Sequence, residues 1–163
     1  MSDYTNYKQG GSEPVSGDIV QMAVGEYTQN THLSTNSTSK ASGAIQVSIT
    51  PRFSDSTIRI RLISNMAYGR DGGGLICSLY RMESGGTPGY VVYDTRSGEN
   101  KYGWTYNNQN AWGGDSAIWY DQPNTTNQLT YVPYFNVYTG GQSVSYFLYN
   151  NMPAFLQLSE IKA

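Results

Sequence analysis

The sequence predicts an all-β fold, a two-sheet antiparallel sandwich, and three observations carry that expectation. Apolar residues alternate with polar ones at period two along most of the chain, clusters of Gly, Pro, Asn and Ser separate these stretches, and no amphipathic helical pattern competes. The segment from Ala44 to Leu62 shows the device best. Ile45, Val47 and Ile49 alternate with small or polar residues, Pro51 stops the ladder, and Ser54, Asp55 and Ser56 turn the chain. Ile58, Ile60 and Leu62 then alternate with Arg59 and Arg61, so each strand has one buried and one wet face.

Composition agrees with this pattern. The 163 residues suit one domain with a real core. Charged residues are only 13% of the chain, but 15 Tyr, 4 Phe and 3 Trp set it apart from disordered sequences and suit pleated strands and interfaces.

From the N-terminus, residues 1–17 read as an extended polar arm in which only Met1, Tyr4, Tyr7 and Val15 are apolar or aromatic. Alone, such an arm buries too little surface to offset its ordering entropy. It is either a frayed end or a segment that orders on a partner, with Tyr4, Tyr7 and Val15 as its contacts. The folded domain is expected over residues 18–163.

The first strand spans Ile19 to Tyr27, and a polar loop from Gln29 to Ser42 follows it. Strands are then expected at Ala44–Ile49, Thr57–Tyr68, Leu75–Met82 and Tyr90–Tyr93. An irregular stretch from Asp94 to Asp115 precedes strands at Ala117–Tyr120, Leu129–Tyr138, Val144–Tyr149 and Phe155–Ile161. Pro133 marks an edge or a bulge. Eight to nine short strands with such turns are housed naturally in a jelly roll.

Chemistry is sparse. Cys77, the single cysteine, precludes an internal disulfide and sits in phase with Leu75 and Leu79, which makes it a core residue. His32 lies in a Ser/Thr/Asn loop without a catalytic partner nearby in sequence. Asp94, Glu99, Asp115 and Asp121 could supply paired carboxylates, although their spacing fixes no distance between them. The Gly69–Gly74 run lacks the lysine and the helix of a phosphate loop. A net charge of −2 without a basic run disfavours nucleic acid, and no stretch approaches membrane-spanning length. No catalytic residue, cofactor or metal site is expected, and with no apolar leader at the N-terminus the chain is expected to be made and folded in a cytoplasm.

Two sets of residues stand out as contacts. Tyr102, Trp104, Tyr106, Trp112 and Trp119 could stack on sugar rings or pack on one another and on a neighbouring subunit. Arg59 and Arg61 project from one strand face, either as solvated charges or as a charged face toward an acidic neighbour.

Four segments together resemble a known family: Gly17–Met22, Val47–Ile60, Trp119–Tyr131 and Leu156–Ile161. In this order they are similar to a widespread family of bacteriophage virion proteins, common in phages of marine bacteria and cyanobacteria and described as tail-fibre-like, structural or capsid-decoration proteins. The resemblance covers roughly residues 17–161 and implies a jelly roll like that of tumour necrosis factor, assembled as a trimer. It brings no catalytic residues. The expectation is a non-enzymatic virion protein that, as a homotrimer, cements or decorates the outside of the head through the major capsid protein or other virion proteins. The alternative is a receptor-binding tip of a tail fibre or spike that recognises a host surface glycan.

Overall fold

The structure, a computed structural model, describes residues 13–28, 33–39, 41–42, 44–68, 75–84, 89–90, 111–137, 145–148 and 153–163. Among these residues there is no helix. The strands are β1 (Ile19–Tyr27), β2 (Leu33–Thr35), β3 (Ala41–Ser42), β4 (Val47–Ile49), β5 (Thr57–Tyr68), β6 (Leu75–Glu83), β7 (Gly89–Tyr90), β8 (Ala111–Asp121), β9 (Leu129–Val137), β10 (Ser145–Leu148) and β11 (Ala154–Ile161). Seven have four residues or more, and the other four are short segments of two or three residues, against the eight to nine strands expected.

Two antiparallel sheets result. One runs β1-β11-β5 with β8 on the far side of β5, and β10 and β2 continue it at the other end of β5. The second runs β3-β9-β6-β7, with β4 also on β9. From β4 onward the chain crosses between sheets at β4–β5, β5–β6, β7–β8, β8–β9 and β9–β10, while β6–β7 and β10–β11 stay within one sheet. The inward rows meet in one core. Ile45, Val47, Ile49, Ile58, Ile60 and Leu62 are buried in the phase their alternation predicts, together with Leu156, Leu158, Leu79, Cys77, Leu129, Tyr131 and Phe135.

Several local expectations change. The strand expected from Ala44 begins only at Val47, because Ala44 adopts the left-handed conformation (φ 56°) and breaks the extended run. The polar loop 29–42 contributes β2 and β3, each held by a longer strand beside it. The last part of the stretch expected to be irregular, Ala111–Asp115, is strand instead and forms ladder pairs with Ser64–Tyr68 of the long strand β5. Pairing with a preformed neighbour outweighs the weak local propensity of Gly113 and Gly114. Pro133 lies in β9, continuously in register with β6; on the other side the partner changes from β4 to β3 and skips Val132 and Pro133. A residue without an N–H therefore falls where the neighbouring strand is interrupted.

The two sheets approach each other closely at Gly25 of β1. A Cβ there would sit 2.5 Å from Val47 Cγ2 and 3.3 Å from the Gln46 carbonyl oxygen of the opposite sheet. Gly25→Ala is expected to cost about 1–3 kcal/mol in urea unfolding, as overpacking does. Adding Val47→Ala should recover part of that loss; strictly additive losses would show that no close approach exists.

Candidate functional site

Strand alternation turns one set of side chains outward from the β1-β11-β5-β8 sheet, and the registers place them in rows. Tyr120, Arg59, Ser159 and Met22 form one row, and Ile118, Arg61, Gln157 and Val24 the next. Ile63, Phe155 and Glu26 follow, while Ile161 and Ile19 extend the face at the opposite end. Six large apolar or aromatic side chains are exposed among the described residues, and five lie on this face: Ile19, Val24, Ile63, Ile118 (52% exposed) and Tyr120 (62%). The sixth, Val15, is on the turn that leads into β1. The outer face of the second sheet differs, since its outward positions Ser78, Val132 and Asn136 are buried.

The arginines sit in the middle of this apolar surface. Neither guanidinium has a hydrogen-bond or ion-pair partner among the described residues, and the nearest rows hold no acid. Glu26 is one row beyond Arg61 and two strands away. Two residues apart on one strand, the two charges stand ~7 Å from each other and repel by roughly 0.6 kcal/mol in water. Between Arg59 and Met22, Ser159 is buried with its hydroxyl unpaired, and Gln157 Nε2 lies 3.4 Å from Met22 Sδ.

Two inward polar anchors keep this sheet in place. Glu160 continues the buried phase of Leu156 and Leu158 and is fully buried itself. Its Oε1 accepts hydrogen bonds from the Arg52 N–H (2.8 Å), the Phe53 N–H (3.1 Å) and the Ser56 hydroxyl (2.7 Å), and its Oε2 from Gln21 Nε2 (2.6 Å). Four donors thus disperse one charge, and the β4–β5 turn is tied to β11 and β1. Nearby, Gly17 N–H donates to the Lys162 carbonyl (2.8 Å) and Lys162 N–H to the Asp18 carbonyl (3.0 Å), which fastens the start of β1 to the end of β11. Gly17 suits that turn because its φ is +91°.

The second anchor is Asp121, at the end of β8. Its Oδ2 accepts from Arg81 Nη1 (2.8 Å) and from the Tyr131 hydroxyl (2.7 Å), linking β8 of one sheet to β6 and β9 of the other. Burial, reinforced by the Asp121 charge and hydrogen bond, raises the Tyr131 phenol far above its ordinary value. Burial alone would lower the Arg81 guanidinium, but the hydrogen bond and charge of Asp121 reverse this and leave it raised. The following loop is ordered by Glu83, whose Oε1 accepts from Thr125 Oγ1 (3.2 Å) and Asn127 Nδ2 (2.8 Å).

Of the residues singled out in the sequence, Arg59 and Arg61 share the exposed face and Val15 is exposed beside it. Trp119 points inward, half-buried against the core, so its ring packs within the subunit while the adjacent Tyr120 faces out. Asp121 belongs to the Arg81–Tyr131 anchor. Tyr4, Tyr7, His32, Asp94, Glu99, Tyr102, Trp104 and Tyr106 lie outside the described residues, as do the side chains of Trp112 and Asp115. Among the described residues, no group of three or more His, Cys, Asp or Glu is placed to hold a metal ion.

Sequence reasoning missed Ile118, Ile63, Val24 and Glu160. Ile63 continues the outward phase of Arg59 and Arg61, and the run Ile19–Val24 is apolar in both phases. Each was a legible sign that this sheet's outer face is not fully polar. Glu160 was legible as an acid in phase with two buried leucines.

No family model matches the chain, and no curated protein matches it. Among solved structures it is similar to a chain in the structure of infectious bursal disease virus, Gt strain, with a TM-score of 0.37 and 12% identity. That match covers 99% of this chain and 47% of the other, so this chain spans about half the length of its neighbour.

Proposed function

We propose that this chain is a non-enzymatic structural protein of a phage particle, a cement or decoration protein that binds the outside of the head as a homotrimer. One observation carries the reading. The four segments that resemble phage virion proteins, far apart in sequence, converge on a single framework. Glu160 of the last segment accepts from Gln21 of the first and from Arg52, Phe53 and Ser56 of the second. The third, which carries Asp121 and Tyr131, pairs with the second through Ile58 and Asp121. Residues that meet around shared buried hydrogen bonds are constrained as a set, which supports reading the four segments together.

The strand order supports a jelly roll within this proposal. Alternate crossings between a β1-β11-β5-β8 sheet and a β3/β4-β9-β6-β7 sheet are the arrangement that two Greek keys produce. Three copies joined in a trimer would multiply modest individual contacts through effective concentration, which suits a protein that must stay on a shell. The chain would be made in the host cytoplasm and end on the virion surface. The test is to add purified protein to heads assembled without it. Saturable binding, with a site number commensurate with the shell lattice, is expected; heads that take up no protein would contradict the proposal.

A further inference from the structure

We draw no further inference here: the strongest candidate, the exposed apolar face of the β1-β11-β5-β8 sheet around Arg59 and Arg61, carries nothing further because nothing in the structure shows what covers it.

Discussion

Glu160→Ala is expected to destabilise the protein by about 3–5 kcal/mol, the largest effect of a single substitution outside the apolar core. The carboxylate is fully buried and takes four hydrogen bonds, two from backbone N–H groups of the β4–β5 turn. Removing it strands the Arg52 and Phe53 N–H groups and the Ser56 hydroxyl together, and leaves the Gln21 amide only its bond to the Thr50 carbonyl (2.6 Å). The turn between two core strands would lose its closure, and the β1 ladder one of its ties. For a chain of this length the loss corresponds to a fall in Tm of ~10 °C. Glu160→Gln keeps the shape but offers an NH₂ where donors converge, so it should fall between wild type and Ala. Asp55→Ala is the contrast: its 2.7 Å pair with Lys162 is on the surface, and its removal should leave the unfolding transition essentially in place. A Glu160→Ala variant as stable as the Asp55→Ala variant would mean that the carboxylate does not hold the turn.

Asp121→Ala is expected to cost about 2–3 kcal/mol, less than a fully buried pair because the Arg81 side chain keeps 28% of its exposure and water can reach it. The loss leaves a half-buried guanidinium and a buried phenol without their shared acceptor and loosens the link between sheets. The same site gives a pH signature. Tyr131 stays neutral in the folded protein far above the range in which an unfolded tyrosine ionises, near pH 10. The unfolded chain therefore binds fewer protons above that pH, and stability falls as pH rises, by up to about 1.4 kcal/mol per pH unit for this one group. Tyr131→Phe should lower stability by roughly 1 kcal/mol at neutral pH and flatten the alkaline decline by one proton. Unfolding curves between neutral and strongly alkaline pH check both parts; equal alkaline slopes for wild type and Tyr131→Phe would place the phenol outside the buried network.

The sequence made the core legible because burial follows alternation. Ile45, Val47, Ile49, Ile58, Ile60 and Leu62 face inward in the phase that period two assigns, and Cys77 joins them as its neighbours Leu75 and Leu79 suggested. What it hid depends on pairing between distant segments. Ala111–Asp115 carry little strand character of their own and become β8 only because β5 is long enough to template them. Leu33–Thr35 and Ala41–Ser42 pair for the same reason. The site was half legible. Arg59 and Arg61 stood out as charges on one strand, but that they lie among Tyr120, Ile118 and Val24 follows from which strands lie beside β5, and no local pattern encodes that order. Trp119 and Tyr120 differ by one residue in phase, so their opposite fates in the core and on the surface are set by the register of β8 on β5.

The central claim is that this chain is a component of the phage head surface, and the number of copies per virion tests it most directly. Quantitative mass spectrometry of purified particles, with the major capsid protein as internal reference, gives that number. The account predicts a count comparable to that of the shell protein and commensurate with its lattice. A mere handful of copies per particle, or none, would contradict it, the first by moving the protein to the tail and the second by taking it off the virion.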